Sequence, residues 1–328
     1  MRRRDFITLA GNAISAWPFA ARAQQRGKPA IGFLHTASPD PYARLVEAYL
    51  QGLKETGYVD GQNVTIEYRW AEGHFDRLPE LADELIRDHV ALIAALGGSS
   101  STLAAKKATS TIPIVFSSGE VDPVKSGLVA SLNKPGGNVT GINPMTSSLT
   151  AKRLGLLHEV APQAKVIGYL KNLTNPNSET QSSEVQEAAS SLGVQLYSVD
   201  ASADRDFESA FAEFHQKQVG ALFVAADPFF FAYRDQIVGL AARYDLPASY
   251  YTREFVTVGG LISYAASFVD AYRLAGNYSG RILNGEKPAD LPVVQSVKFD
   301  LAVNLKTAKS LGLAVPQALL VSADEVIE

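Results

Sequence analysis

Similar short segments recur along this sequence in the same order and at a nearly constant spacing. The matched pairs are offset by 136, 137 and 134 residues: 31–34 with 167–170, 103–106 with 240–243, and 112–113 with 246–247. Buried strands draw on few residue types, so any one of these matches could arise by chance. Their shared order and spacing favour two similar halves, because repetition of one structural unit produces this pattern.

Each half contains an apolar run of the kind that forms a strand buried on both faces. The first, VALIAALGGSSST (residues 90–102), passes through Gly97 and Gly98, which permit a tight turn, into a helical pattern over 103–108. The second, VGALFVAAD (residues 219–227), is followed by a proline and three phenylalanines. A buried strand followed by a turn and a helix forms half of a parallel βαβ unit.

The rest of the chain also alternates strand and helix patterns. We therefore expect an α/β protein with two similar doubly wound parallel-sheet lobes, joined by a hinge. Ligands bind such sheets at the carboxyl ends of the strands, so two facing lobes form a ligand cleft. We place lobe 1 at residues 24–143 plus 262–290 and lobe 2 at residues 144–261 plus 291–328. The run GGLISY (259–264) is interpreted as a crossing between the lobes, and residues 293–303 as one strand-like run in lobe 2.

The serines at residues 99–101 stand where a helix is expected to begin after a buried strand. The free N–H groups at a helix start suit a carboxylate or a phosphate. The alternative is an ordinary serine cap of a helix at a βα turn. From this stretch alone, both interpretations stay open.

The first 23 residues have the pattern of an export leader. Three arginines precede a short apolar stretch over residues 6–20, and Ala21-Arg22-Ala23 matches the small-x-small cleavage rule. Cleavage near Ala23 predicts a periplasmic protein. The segment RRDFI is similar to the twin-arginine export pattern, although Arg2 stands where Ser or Thr is usual. An uncut membrane anchor is the alternative, but the apolar stretch is shorter than the roughly 20 residues that a span requires.

Composition restricts the partners of the exported chain. The sequence contains no cysteine, which excludes disulfides and a lipid anchor on a leading cysteine. The full chain has a net charge of −4, and the leader carries four Arg and one Asp, so residues 24–328 carry −7. This negative charge argues against a nucleic-acid partner.

Sequence motifs of common enzyme classes are missing. The sequence has neither a G-x-G-x-x-G dinucleotide fingerprint nor a G-x-x-x-x-G-K-[ST] phosphate loop, and GGSSS (97–101) lacks the final glycine of a nucleophile elbow. The five histidines lie far apart and form no metal-ligand pair. His35 differs from the others because it follows the first strand, where it is either a ligand contact or an ordinary polar loop residue. We therefore expect no catalytic residue, no metal and no cofactor.

Longer stretches, spread from the leader to the last residue, resemble one protein family. They are RRRDFI with AWPFAARAQQ in the leader, GLKETGYVDGQNVTIEYRWAEG (52–73), DPVKSGLVASLNKPGGNVTG (122–141), ADPFFF (226–231), GRILNGEKPADLP (280–292) and ADEVIE (323–328). They are similar to the ABC transporter substrate-binding family, which has the type I periplasmic-binding-protein fold and includes tryptophan and tyrosine binders. The motifs are specific to the family and not to a ligand.

The resemblance implies that a small molecule binds between two closing lobes. In the related amino-acid binders, loops of lobe 1 hold the ligand carboxylate with hydroxyl and N–H groups. The corresponding positions here are Ser99, Ser100, Ser117 and Ser118. Loops of lobe 2 supply an aromatic wall and an acid for the ligand ammonium. The corresponding positions here are Phe229, Tyr251, and either Asp227 or Glu254. The loop SSGEVDPV (117–124) differs from the loops of the relatives.

Each lobe-2 candidate also has a structural interpretation. Three consecutive phenylalanines cannot all face one way, so one or two of residues 229–231 are expected in the core. Asp227 precedes a proline and is equally suited to initiate a turn. Glu254 follows Arg253, and the two could form an exposed ion pair, which contributes little to stability.

These observations predict a solute-binding protein without a catalytic step. A serine-rich wall opposite an aromatic wall suits a ligand with an anionic head and an apolar body, such as an aromatic or branched amino acid or an aromatic acid. The family resemblance adds an inner-membrane ABC permease and its ATPase as partners, and we expect a monomer. Two alternatives remain: a periplasmic ligand-sensing module for a receptor, and an exported α/β enzyme.

Overall fold

The computed structural model describes residues 27–328, so the predicted leader (1–23), its twin-arginine pattern and its cleavage site lie outside the described residues. The strands are β1 (Ala30–His35), β2 (Thr65–Trp70), β3 (Leu92–Ala95), β4 (Ile114–Ser117), β5 (Val139–Asn143), β6 (Val166–Lys171), β7 (Gln195–Asp200), β8 (Ala221–Val224), β9 (Ala248–Tyr250), β10 (Ile262–Ala265), β11 (Val294–Gln295), β12 (Asp300–Asn304) and β13 (Glu325–Ile327).

The helices between the strands flank both sheets. They are α1 (Pro39–Lys54), α2 (Leu78–Arg87), α3 (Ser99–Ala108), α4 (Thr150–Val160), α5 (Ser178–Leu192), α6 (Asp206–Gln216), α7 (Pro228–Ala232), α8 (Arg234–Arg243), α9 (Arg253–Thr257), α10 (Phe268–Leu283), α11 (Leu305–Ser310) and α12 (Gln317–Ser322). No helix among residues 27–328 is long and apolar enough to cross a membrane.

The strands form two mostly parallel sheets, which confirms the predicted fold class. Lobe 1 holds the six-stranded sheet, in the order β11-β5-β4-β3-β1-β2, and all of its neighbours are parallel. Lobe 2 holds the seven-stranded sheet, in the order β13-β12-β10-β9-β8-β6-β7, in which β12 runs antiparallel to β10. The repeated strand order β3-β1-β2 and β8-β6-β7 is the structural counterpart of the sequence repeat.

The core of each lobe lies where apolar strands meet the apolar faces of helices. The central strands β3 and β8 are buried along their whole length, as their continuous apolar runs predicted. On α6, Phe207, Phe211 and Phe214 are all fully buried, which confirms that their helical spacing marks a core face.

One helix returns from lobe 2 and packs on lobe 1 through glycines. Helix α10 crosses α1 so closely that a Cβ at Gly276 would lie 2.0 Å from the carbonyl oxygen of Tyr49, and a Cβ at Gly52 would lie 1.8 Å from that of Arg273. Only glycine permits this approach of two helix backbones. The crossing therefore ties the chain that leaves β10 firmly to lobe 1.

Strand pairing differs from the predicted division of the C-terminal third. Residues 262–290 were assigned to lobe 1, yet Ile262–Ala265 (β10) pairs with β9 in the sheet of lobe 2. Residues 291–328 were assigned to lobe 2, yet Val294–Gln295 (β11) pairs with β5 in the sheet of lobe 1. The run 293–303 is thus two strands of different sheets, because an apolar pattern indicates burial and not the pairing partner.

Candidate ligand-binding cleft

Parallel pairing brings the loops that follow the strands to one edge of each sheet. Lobe 1 contributes the loops after β1, β3 and β4, and lobe 2 contributes those after β6, β8 and β9. The two loop sets meet each other in a cleft between the lobes. This is the place at which open α/β sheets bind ligands.

The lobes are in direct contact across this cleft. The side-chain amide of Asn177 donates a hydrogen bond of 2.6 Å to the hydroxyl of Ser99. The Tyr42 hydroxyl donates to the carbonyl oxygen of Pro228 at 3.3 Å, and the Tyr42 ring lies 4.6 Å from that of Phe231. These contacts join lobe 1 to lobe 2, so the structure has a closed cleft.

The start of α3 holds a carboxylate of the protein itself. The backbone N–H of Ser99 donates to Oε2 of Glu120 at 3.1 Å, and the hydroxyl of Ser118 donates to the same oxygen at 2.8 Å. Gly98 precedes the helix with φ +84°, and a Cβ there would lie 2.6 Å from Oε1 of Glu120. The interpretation as an ordinary serine cap is wrong, because the N-cap residue is Gly98 and the N–H of Ser99 binds Glu120 instead. The anion at the helix start is Glu120.

The four serines of lobe 1 are all buried at this edge of the sheet. Ser99 and Ser118 bind Glu120, and Ser99 also accepts the hydrogen bond from Asn177. Ser100 lies in the first turn of α3, and Ser117 is the last residue of β4. The structure therefore brings the predicted serines together, but around a carboxylate of the chain.

His35 is fully buried and uses both ring nitrogens within the protein. The N–H of Ala37 donates to Nδ1 at 3.0 Å, and Nε2 lies 3.0 Å from the hydroxyl of Tyr272. That hydroxyl donates to the carbonyl oxygen of Leu96 at 2.6 Å, so we assign the proton to Nε2, which donates to Tyr272. Burial lowers the pKa of His35 to about 3, so the ring stays neutral. His35 links the β1 loop to helix α10.

Asp227 is buried at the start of α7 in lobe 2. Its Oδ1 accepts from the N–H of Phe229 and its Oδ2 from the side-chain amide of Asn175, both at 2.7 Å. Its carbonyl oxygen accepts from the Tyr251 hydroxyl at 2.6 Å. Burial, together with the charge of Glu120, raises the pKa of Asp227 to about 7 even though the hydrogen bonds from Asn175 and Phe229 lower it. The turn-initiator interpretation is thus confirmed.

The aromatic residues of lobe 2 divide between core and cleft. Phe229 stacks on Phe207 at 5.4 Å between ring centroids, and Phe230 is fully buried. Phe231 instead meets Tyr42 of lobe 1. Tyr251 is buried beside Asp227. All three phenylalanines are buried. Phe229 also approaches lobe 1, since its Cδ2 lies 3.7 Å from the position of a Cβ built at Gly73. Its contact with a ligand stays a prediction.

Glu254 lies in the first turn of α9 and is partly exposed. The expected ion pair with Arg253 does not form, because Arg253 pairs with Glu325 at 2.6 Å. Within residues 27–328, no hydrogen bond or ion pair joins the Glu254 carboxylate to the Ser99, Glu120 and Asp227 group. Its contact with a ligand stays a prediction.

Sequence reasoning missed one buried cation, Arg153 of α4. Its guanidinium lies 4.3 Å from the Phe223 ring centroid and donates through Nη2 to the carbonyl oxygen of Val224 at 2.9 Å. Among the described residues Nε has no hydrogen-bond partner, and no carboxylate pairs with the group. Burial lowers the pKa of Arg153 to about 9. The sequence pattern did not single out Arg153, because it lies next to Leu154 on a helix with an apolar face.

Asn175 and Asn177 were also missed, although their loop follows β6 just as the serine loop follows β3. The repeated half was the available signal, because equivalent loops of both lobes reach the cleft. Tyr42 and Tyr272 carried no such signal. Their position depends on how α1 and α10 pack, which the local sequence does not specify.

Two hollows adjoin the group of buried polar residues. The head-group cavity, of about 10 Å³, is lined by residues that include Glu120, Arg153, Gln181 and Phe223. The side groove, of about 870 Å³, runs between the 120–126 loop and α5. The two adjoin each other, since Glu120, Ser147 and Thr150 line both. Within residues 27–328, no three His, Asp or Glu residues are grouped to hold a metal ion.

The family model for ABC transporter substrate-binding proteins matches residues 31–327, which is nearly all of the described chain. This chain belongs to that family. Substrate-binding proteins of this kind bind small-molecule ligands and work with ABC transporters; they are not enzymes.

Two relatives, one of them with a solved structure, are about one quarter identical in sequence to this substrate-binding protein. A tyrosine-binding protein of Clostridioides difficile (strain R20291) is 27% identical over 267 residues, which cover 81% of this chain and 76% of the relative. An ABC domain from Streptococcus pneumoniae, solved in complex with L-Trp, is 26% identical with a TM-score of 0.80, and covers 92% of this chain and 100% of its own.

A third relative reports on the arrangement of the lobes. The ligand-free, open structure of a Clostridium difficile substrate-binding protein with adhesive properties is 27% identical, covers 91% of this chain and 99% of its own, and has a TM-score of 0.61. At nearly equal sequence identity, this protein therefore superimposes better on the L-Trp complex than on the open structure. The comparison agrees with the contacts between Ser99 and Asn177 across the cleft.

Proposed function

We propose that this protein is the periplasmic solute-binding component of an ABC uptake transporter. Its ligand is a small carboxylate-bearing molecule with an apolar body: an aromatic or branched amino acid, or an aromatic acid. The proposed partners are an inner-membrane permease and its ATPase, and the protein acts as a monomer. The export leader at residues 1–23 is part of this proposal.

One observation carries the proposal. Buried and partly buried polar groups of both lobes converge at the carboxyl ends of the two sheets, where Asn177 and Asn175 link Ser99, Ser118 and Glu120 to Asp227. Buried polar groups that converge in a cleft orient a ligand, and the apolar groups around them supply affinity. Tyr42 and Phe231 contact each other across the cleft, and Tyr251 is hydrogen-bonded to Asp227, so these rings supply apolar surface beside the polar groups.

The relatives support the ligand class. One is named as a tyrosine binder and another was solved with L-Trp, and each is 26–27% identical to this chain. A ligand that touches both lobes stabilises the closed arrangement by its differential contacts. We therefore keep Ser99, Ser100, Ser117, Ser118, Asp227, Phe229, Tyr251, Glu254 and His35 as the proposed binding residues, with His35 positioning its loop.

A thermal-shift screen of residues 24–328 tests the ligand class. The panel consists of L-tryptophan, L-tyrosine, L-phenylalanine, L-leucine, indole-3-acetate and benzoate, with ribose and putrescine as compounds without a carboxylate. A ligand that binds only the folded state raises Tm in a dose-dependent way. We expect a rise with at least one amino or aromatic acid and none with ribose or putrescine. No rise with any acid up to millimolar concentration contradicts the proposed ligand class.

Two variants that each remove one carboxyl test whether the ligand binds in this cleft. Asp227→Asn removes a carboxyl in the cleft, and Asp235→Asn removes an exposed one on α8. For an amino-acid ligand we expect the first variant to lose about tenfold or more in affinity, since hydrogen bonds to charged groups have this strength, and the second to match the wild type. Equal affinities of both variants place the binding outside this cleft.

A further inference from the structure

The strongest anion site of lobe 1 is already occupied by the chain. The N–H at the start of α3 and the hydroxyl of Ser118 both point to the carboxylate of Glu120. A ligand carboxylate has to bind elsewhere as long as Glu120 keeps this position. The same contacts hold the Glu120 carboxylate beside Ser99, whose hydroxyl accepts a hydrogen bond from Asn177 of lobe 2.

A chain of hydrogen bonds through Ser99, Asn177 and Asn175 links two carboxyls from opposite lobes. Glu120 comes from lobe 1 and Asp227 from lobe 2, and each raises the energy of the other in its charged form. Within residues 27–328, neither forms an ion pair with Lys, Arg or His. A ligand cation between them would relieve both the desolvation and the repulsion.

Arg153 is a buried cation without a carboxylate partner, and it lines the cavity that Glu120 also lines. Its guanidinium is almost fully buried, its Nε lacks a partner among the described residues, and no carboxylate neutralises it. A buried charge requires a counter-charge or further hydrogen bonds. Arg153 and Glu120 both line the head-group cavity. The cavity therefore presents a cationic group and an anionic group that are not paired with each other.

We propose that Glu120 and Arg153 select a zwitterionic α-amino acid, with the ligand ammonium between Glu120 and Asp227 and the ligand carboxylate on Arg153. This inference rests on the proposed function and narrows it, because an aromatic acid without an amino group would leave the two carboxyls unpaired. The head-group cavity of about 10 Å³ has room for about one water molecule, so the lobes separate to admit the ligand. The side groove adjoins the cavity at Glu120, Ser147 and Thr150 and leads to it once the lobes separate.

Calorimetric titration of residues 24–328 with three ligand triplets tests the proposal. Each triplet contains an amino acid, its analogue without the ammonium and its analogue without the carboxylate. They are L-tryptophan, indole-3-propionate and tryptamine; L-tyrosine, 3-(4-hydroxyphenyl)propionate and tyramine; and L-leucine, 4-methylpentanoate and isopentylamine. In at least one triplet we expect the amino acid to bind at least about tenfold more tightly than either analogue.

Variants that remove one charge then show which residue binds the ligand ammonium and which binds the ligand carboxylate. Glu120→Gln keeps a hydrogen-bond acceptor for Ser99 and should weaken the amino acid and the amine about 10- to 100-fold while leaving the acid unchanged. Arg153→Met should weaken the amino acid and the acid by a similar factor and leave the amine unchanged, and Arg153→Lys should restore part of the loss. Matched controls are Glu80→Gln, at an exposed position in the first turn of α2, and Arg281→Met, which removes a guanidinium that stacks on Tyr278. Neither control should change any affinity.

The outcomes separate this inference from the function on which it rests. The inference is wrong if the acids bind the wild type as tightly as the amino acids do. It is also wrong if each variant weakens all members of a triplet equally, because Glu120 and Arg153 then do not distinguish the ligand ammonium from the ligand carboxylate. In either case the proposed function stands. If no amino acid and no acid binds the wild type, the proposed function itself fails.

Discussion

Asn177 of lobe 2 donates a hydrogen bond of 2.6 Å to the hydroxyl of Ser99 in lobe 1. We predict that Asn177→Ala shifts the ligand-free protein toward an open arrangement. A buried hydrogen bond of this kind contributes about 1 kcal/mol, so the ratio of closed to open molecules should fall about fivefold. Small-angle X-ray scattering measures the change as a larger radius of gyration.

Ser99→Ala removes the other partner of the same hydrogen bond. It should open the protein to a similar extent, and the double variant should add little to either single variant, because all three lose one interaction. Additive effects of the two substitutions would show that the residues act on closure independently.

Asp227 should make the stability of the protein fall as the pH rises. Its folded-state pKa of about 7 lies above its ordinary value of 3.8, so the folded state holds the proton more tightly than the unfolded state. This stabilisation is complete below about pH 4 and is lost as the pH rises through about 7. Its full size is on the order of 4 kcal/mol.

Urea unfolding of the wild type and of Asp227→Asn between pH 4 and pH 8 checks this prediction. The variant has no titrating group at this position, so its free energy of unfolding should depend less on pH. The wild type should lose stability relative to the variant between pH 4 and about pH 7, and the difference between the two curves should then stay constant toward pH 8. Parallel curves over the whole range would mean that Asp227 does not titrate in this window.

Gly276 should be intolerant of a side chain. A Cβ at this position would lie 2.0 Å from the carbonyl oxygen of Tyr49, so alanine forces α10 and α1 apart. We expect the free energy of unfolding to fall by about 3 kcal/mol, the upper range for overpacking. Chemical denaturation measures the loss.

Gly155 provides the matched control. It also lies within a helix, α4, but no atom stands within 4 Å of a Cβ built there. Gly155→Ala should therefore be neutral or stabilise by up to about 1 kcal/mol, since alanine favours the helix. An equal loss at both positions would refute the role of close helix contact.

Removal of the Tyr272 hydroxyl should weaken the attachment of α10 to the loops that follow β1 and β3 of lobe 1. In Tyr272→Phe, the Nε2–H of His35 and the carbonyl oxygen of Leu96 lose their shared partner in a buried place. Each unsatisfied group is destabilising by about 1–3 kcal/mol. We expect Tyr272→Phe to lower the free energy of unfolding by about 2 kcal/mol or more in urea.

The control for this effect is Tyr58→Phe, whose hydroxyl bonds Asn284 at an exposed position. Water replaces that partner, so the stability should change by less than about 0.5 kcal/mol. If Tyr272→Phe changes the free energy of unfolding as little as Tyr58→Phe does, the Tyr272 hydroxyl is not required as the hydrogen-bond partner of His35 and Leu96.

Much of the fold could be predicted because it depends on local patterns. The apolar runs of β3 and β8, and the helical spacing of Phe207, Phe211 and Phe214, follow from side-chain periodicity and are all buried in the structure. The division of residues 293–303 between two sheets could not be predicted in this way. Burial has a local signature, whereas a strand's partner is chosen by contacts that are distant in the chain.

The candidate site shows the same limit more clearly. The loops that reach the cleft follow from parallel strand order, so Ser99, Ser118 and Asp227 were found in the right loops. That the helix start binds Glu120 was not predicted, because residues 99 and 120 meet only when β3 and β4 pair. Arg153 escaped notice for a related reason, since nothing in an apolar helix face indicates whether a charge on it is paired.

The sequence by itself determined the fold class, the repeat of two lobes, the family and the loops that form the cleft, because periodicity and motif order are properties of neighbouring residues. Only the tertiary structure decided which groups in those loops are already satisfied and which are not. Hydrogen bonding and charge pairing in a buried site are sums over partners from both lobes. Glu120 at the start of α3 and Arg153 without a carboxylate emerge only when those partners are brought together.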